Sequence, residues 1–284
     1  MRLLLLGLGG FAGSFGGWVL SRPAFGAPVL QRRNYRGVDV PVGAGVMLVF
    51  GALFVVAMRS VLIAFDFTPG PMATQSLAVA LIAAGGFAML GLFDDLAAHG
   101  DTRGFRGHLG SIVKGQMSTG AIKLVGGGLL SLVVASKLGT DDFGELVVGA
   151  LIIALSANVG NLFDRAPGRV TKVGLFTGAL VLGSASSSEH LALAGMVVLL
   201  GSAAGLFVFD LREELMLGDA GSNVVGVAVG IGIVATTGLV AQLVVLAVLV
   251  ALNLASEKVS FSAVISKTSA LRWIDQLGRR STPV

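Results

Sequence analysis

Apolar runs close to twenty residues long recur from one end of this chain to the other, separated by short breaks rich in charge, glycine and proline. A hydrocarbon layer about 30 Å thick takes about 20 apolar residues per helix, and only helices or closed barrels satisfy their backbone groups inside it. The runs fall near 2–21, 42–65, 75–93, 117–136, 146–163, 171–187, 191–209, 221–237 and 239–254. They predict an all-α fold: a polytopic membrane bundle of about nine transmembrane helices over 1–254, followed by a tail over 255–284. Composition agrees, because only 13% of the 284 residues are charged and the mean hydropathy is +0.88, against about 25% charged residues in a soluble domain. The 42 glycines have no three-residue period, which fits closely packed membrane helices and excludes collagen. With no cysteine, disulfides and thiolate metal sites are excluded.

The first run continues past the length of a signal h-region and is read as a retained span. The sixth, "TKVGLFTGALVLGSASS", is short and ends in small polar residues. Sixteen of the twenty Lys and Arg residues fall on one set of connections and in the tail. The positive-inside rule makes that side cytoplasmic, the N-terminus external and the location a cell's inner (plasma) membrane. The net charge of +4 is thereby explained by topology, and no aromatic-laced basic patch suggests nucleic acid. The tail sets Val264, Ile265, Leu271, Ile274 and Leu277 among charges, with Trp273 as an interfacial ring, and reads as an amphipathic helix lying on the membrane.

Chemistry belongs on the cytoplasmic face, because the external loops are too short for a folded domain. The third run ends "GLFDD", placing Asp94 and Asp95 at that face; neighbours on a helix point about 100° apart, so one would face a metal and the other a substrate. Alone, the pair reads equally as a solvated helix end. The fifth run ends with Asn158, Asn161 and Asp164 at i, i+3 and i+6, a polar stripe too costly to face lipid. Asparagine joining helices is the alternative. Between the seventh and eighth runs, "LGDAGSN" offers Asp219 as an oxygen ligand, with Ser222 or Asn223 to cap the next helix and receive an anion. Four carboxylates from three helix ends, with Arg and Lys nearby, suggest a Mg2+ ion and a phosphorylated lipid. His99 and His108 read as solvated loop residues, and Lys123 as a side chain reaching back to the interface.

At these residues the sequence resembles the polyprenyl-phosphate N-acetylhexosamine-1-phosphate transferase family, which includes the phospho-MurNAc-pentapeptide translocases and the bacterial GlcNAc-1-phosphate transferases. The resemblance runs through "NYRGVDVPVGAG", "GLFDD", "KGQ", "NVGNLFD" and "LGDAGSN", in that order. It implies Mg2+-dependent transfer of a sugar 1-phosphate from a nucleotide sugar, most simply a UDP-N-acetylhexosamine, to polyprenyl (undecaprenyl) phosphate, with Mn2+ as an alternative ion and a homodimer as the assembly. Carried over by motif, Asp94, Asp95, Lys114 and Asp164 are catalytic. Asn158, Asn161 and Ser222 bind substrate, and Asp95, Asp164 and Asp219 hold the metal. The chain departs from the family on the donor side. Arg165, Ala166, Pro167 and Gly168 stand where a Gly and a second Asp-Gly are usual, and the histidine-rich loop and tenth helix are missing. Arg165 and Arg169 would replace those histidines as phosphate contacts. A homologue that binds lipid phosphate, or scaffolds cell-envelope assembly without turnover, is the rival reading. A transporter is disfavoured by the almost purely apolar outer halves of the spans.

Overall fold

A computed structural model describes residues 2–67, 74–97, 118–139 and 142–280. Each of the nine apolar runs forms a helix: α1 (Arg2–Ser21), α2 (Val46–Ala64), α3 (Thr74–Ala97), α4 (Thr119–Ala135), α5 (Phe143–Phe163), α6 (Arg169–Ser184), α7 (Ala194–Leu211), α8 (Gly218–Thr236) and α9 (Leu239–Ser256). Seven of them are long and apolar enough to cross a membrane, so the expected count of nine spans is not reached by that measure. The exceptions are α4, with 17 residues, and α6, with 16. At 1.5 Å per residue both measure roughly 25 Å, short of the hydrocarbon thickness, and α6 opens with Arg169 and Lys172.

Successive helices run antiparallel, and contacts at both ends show it. At one end Gln75 of α3 donates to the carbonyl of Lys137 beyond α4 (2.8 Å), and Ser76 to that of Ala192 before α7 (2.6 Å). At the other, Arg22 beyond α1 pairs with Glu214 beyond α7 at 2.6 Å. The ends of α3, α5 and α7 therefore share a face with the starts of α4, α6 and α8.

The central element is α8, which packs against α2, α3, α4, α5, α6 and α7. Its first turn is boxed in by backbone. A Cβ added at Gly91 of α3 would lie 2.3 Å from the Asp219 carbonyl, and one at Gly160 of α5 would lie 2.3 Å from that of Ser222. Small residues let helices without a hydrophobic drive between them approach to backbone contact. Here that approach brings three chain segments to one carboxylate.

Two features depart from the sequence reading. A short hairpin of β1 (Gln31–Arg33) and β2 (Asp39–Pro41) follows α1, with Arg32 opposite Val40. Its turn closes when the Asn34 side chain accepts the backbone N–H groups of Arg36 and Val38. The tail is not one amphipathic helix but two short ones, α10 (Phe261–Lys267) and α11 (Ser269–Gln276), broken at the extended Thr268.

The tail is docked by charge. Arg169 grips Asp275 through two hydrogen bonds of 2.8 and 2.9 Å and also reaches Ser262 Oγ. Burial alone would raise the Asp275 carboxyl, yet the Arg169 hydrogen bonds, with Arg279 and Lys172, hold it below its ordinary range. A depressed folded value means the carboxylate stabilises the docked tail fully above the unfolded pKa of about 4 and loses that contribution as pH falls through the folded value. Asp275→Asn is therefore expected to destabilise tail docking by about 2 kcal/mol at neutral pH, and acid to release the wild-type tail. Hydrogen exchange over 269–277 as a function of pH reads both effects; exchange unaffected by either would contradict them.

Candidate active site

The helix ends enclose a cavity of about 250 Å3. Its wall includes Asn161, Asp164 and Arg165 from the end of α5, Asp210 from the end of α7, and Gly218 and Asp219 from the start of α8, with Arg33, Asn34 and Tyr35 of the hairpin opposite.

Asp219 is the hub. Its carboxylate is paired with the Lys123 ammonium of α4, and the side chains of Asp94 and Asn161 stand close enough to act on it. Asp94 and Asp219 lie close enough for each charge to disfavour the other, an arrangement that calls for a proton or a cation between them. Thr119, in the first turn of α4, is also close to Asp94.

Asp95 does different work from its neighbour. Its two oxygens accept the backbone N–H groups of Asp219 (3.0 Å) and Ala220 (3.2 Å). Those donors belong to the first turn of α8, where no intrahelical acceptor exists. Asp95 thus caps α8 from another helix, a task the sequence reading gave to Ser222 or Asn223. Neither performs it, because α8 begins five residues earlier than a cap at Ser222 would set: Gly218 is already its first residue. The cap explains Gly218, whose φ is +66° and whose added Cβ would lie 2.5 Å from the Asp95 carboxylate. Gly218→Ala is expected to cost about 2 kcal/mol from the left-handed backbone alone, with further loss as Asp95 is displaced. Thermal unfolding in detergent measures it, and an unchanged midpoint would refute the cap.

Asp164 terminates α5 and faces the cavity. Burial raises its carboxyl well above the ordinary range, and the neighbouring Asp210, Asp219 and Asp95 charges raise it further, against a partial offset from Arg165. Among the described residues no donor hydrogen-bonds its carboxylate.

The remaining expected residues divide. Asn161 and Arg165 line the cavity. Asn158 does not: its amide donates to Asn253 of α9 at 2.5 Å. Three-residue steps fall about 60° short of a helical turn, so the stripe curls around α5, and Asn158 stands roughly 120° away from Asp164. Joining helices is its observed role. Arg169 is buried and taken by Asp275, so it offers no phosphate contact. Ser222 is fully buried, with its hydroxyl unpartnered among the described residues, and does not reach the cavity. Lys114, with His99 and His108, lies outside the described residues.

The structure adds residues the sequence reading passed over. Lys123 is a partner of Asp219 rather than a side chain reaching for the interface. Asp210 lines the cavity and accepts the Gly168 N–H at 2.9 Å, fixing the turn after Asp164. Glu213, with φ +58°, pins the hairpin through Asn34 (2.9 Å), Tyr35 (3.1 Å) and Arg36 (3.0 Å). An ionisable residue inside or at the end of an apolar run is the signal that marked Lys123 and Asp210; nothing local marked Glu213.

Among the described residues no three His, Cys, Asp or Glu side chains form a ready-made metal cage. Mg2+ is ordinarily held by one or two carboxylates and completes its shell with phosphate and water. Asp164 and Asp219, with the Asn161 amide oxygen, supply that kind of hard oxygen set, whereas the Asp95 oxygens are already committed to α8.

The fold and site define an all-helical chain with seven helices fit to cross a membrane and an acid-lined cavity where their ends meet. Compared with models of known protein families it matches none, and a search of curated proteins finds no relative.

Proposed function

We propose that this cavity transfers a sugar 1-phosphate from a nucleotide sugar to polyprenyl phosphate at the cytoplasmic face of the membrane. The observation that carries the reading is Asp219, paired with Lys123 and sharing one cavity wall with Asn161 and Asp164, at the end of a bundle of membrane-length helices. A phosphate attacking a diphosphate brings like charges together, so a catalyst for it must position anions and neutralise them. A Mg2+ or Mn2+ ion held by Asp164, Asp219 and Asn161 would neutralise the diphosphate.

The chain's own residues supply the rest. Arg165 and Arg33, exposed on the cavity wall, receive phosphate oxygens, and arginine's planar fork suits that contact. Lys123 pairs with Asp219. Asp94, when ionised, takes the proton of the lipid phosphate as its oxygen attacks the sugar-bearing phosphorus, and the nucleoside monophosphate leaves. The cavity lies where α5 and α7 end and α8 begins, at the face where a lipid-borne acceptor would come from the bilayer and a soluble donor from the aqueous side. The excess of Lys and Arg on this face makes it cytoplasmic under the positive-inside rule.

The test is a screen of nucleotide sugars with undecaprenyl phosphate and Mg2+, read out as released nucleoside monophosphate. Release that requires both lipid phosphate and divalent cation supports transfer. Binding of the lipid phosphate with no release from any nucleotide sugar would replace it with a non-catalytic, lipid-phosphate-binding role.

A further inference from the structure

The two faces of α11 are used in the reverse of the usual order. At 100° per residue, Ala270, Leu271, Trp273 and Ile274 fall within one arc of about 160°, while Ser269, Arg272, Asp275 and Gln276 share the other. An amphipathic helix on a globular surface normally buries the apolar arc. Here the docked side chain lies on the polar arc: Asp275 is held by Arg169 of α6 and by Arg279, while Ser269, Arg272 and Gln276 stay exposed. Lys172 completes the dock by donating to the carbonyls of Ile274, Asp275 and Leu277 at 2.7 to 3.1 Å, capping the helix C-terminus with a cation. The apolar arc points outward: Leu271 is 44% exposed, Trp273 66% and Ile274 48%.

An outward apolar arc on a helix fixed by its polar side is stable only against a nonpolar phase. The chain indicates which phase. α9 is apolar and almost wholly uncovered by the other helices, and it ends at Ser256, five residues before α10 begins. The tail therefore starts where a lipid-facing helix leaves the bilayer. Phe261 keeps it there by packing against Phe163 at the end of α5, the two rings tilted with centroids 5.4 Å apart. Lys258, Lys267 and Arg272 are exposed along the tail, against the single acid Glu257, which gives the surface a positive balance.

We propose that the Leu271–Trp273–Ile274 face of α11 is seated in the interfacial layer of a bilayer containing anionic lipid, with the polar face clamped to the start of α6. Tryptophan belongs at that depth, and exposed basic residues draw the segment to anionic headgroups. The same clamp reaches the cavity wall: Arg279 donates to the Pro167 carbonyl at 3.0 Å, in the turn that follows Asp164. The seated tail thereby fixes that turn relative to the membrane surface. The inference is independent of the transfer chemistry.

The experiment uses the full chain in nanodiscs of mixed phosphatidylglycerol and phosphatidylcholine, with lipids brominated near the top of the acyl chains. Trp18 is buried between Phe25 and Phe209, so Trp273→Phe supplies its background signal. The expected result is that bromolipid quenches most of the Trp273 emission and iodide does not reach it. Leu271→Ser combined with Ile274→Ser should return Trp273 to iodide while the Asp275 clamp holds. Free access of iodide in the wild type would overturn the proposal. So would shielding found only in discs carrying two chains, which would put a second copy on the face. Quenching undiminished in pure phosphatidylcholine would overturn the anionic assignment.

Discussion

Asp219→Asn is expected to lower nucleoside monophosphate release by about 10^3-fold while leaving the bundle folded. The magnitude is that of removing one preorganised electrostatic group from a water-poor site. Asn keeps the shape of Asp and retains an acceptor for Lys123, so the helix packing around Gly91 and Gly160 has no steric reason to change. What it removes is a full negative charge at the hub that Asp94, Asn161 and Lys123 all address. If a divalent cation is held there, raising its concentration should partly restore the rate of Asp219→Asn, and circular dichroism with size-exclusion profiles should match the wild type. A variant that keeps wild-type release would remove Asp219 from the mechanism. Asp95→Asn should behave differently, losing stability before activity, because the Asp95 carboxylate holds the start of α8 rather than a substrate.

Lys123→Met is expected to destabilise the protein by ~3 kcal/mol, the lower end of what losing one partner of a buried ion pair costs. The lower end applies because about a fifth of each side chain still meets solvent, 20% for Lys123 and 23% for Asp219. The loss comes from leaving Asp219 beside Asp94 with no cation. It follows that Lys123→Met combined with Asp219→Asn should be more stable than Lys123→Met alone. A double-mutant cycle on unfolding in mixed micelles measures the coupling, and additive effects would show that the two side chains do not support one another. Divalent cation should also protect Lys123→Met more than it protects the wild type, since the vacated charge lies beside Asp219.

The expected effects follow what the sequence made legible. Apolar run length located all nine helices, because membrane insertion constrains composition more tightly than any local propensity does. It did not separate α4 and α6 from the spans, because a 16- or 17-residue helix reads like a span until its ends are known. Asp94, Asp164 and Asp219 were legible as acids at helix ends, where apolar patterning stops and a carboxylate is conspicuous. That Asp164 and Asp219 share one cavity, with Asp94 near Asp219, was legible only through charge topology. The roles of Asp95 and Arg169 were not legible. Asp95 is set by backbone donors 124 and 125 residues away, and Arg169 by an acid 106 residues away. Pairing over such separations leaves no trace in local periodicity. Asn158 was misassigned for a geometric reason, since a three-residue repeat drifts around a 3.6-residue helix.

The most direct measurement is electron paramagnetic resonance of Mn2+ added to the purified chain. If Asp164 and Asp219 hold a divalent cation, one Mn2+ per chain should lose the hydrated-ion signal, and Asp164→Asn or Asp219→Asn should each restore it. Adding lipid phosphate should then broaden the bound signal through phosphorus coupling. Mn2+ that stays fully hydrated in the wild type, with lipid phosphate and nucleotide sugar both present, would contradict a cation-assisted transfer at this cavity.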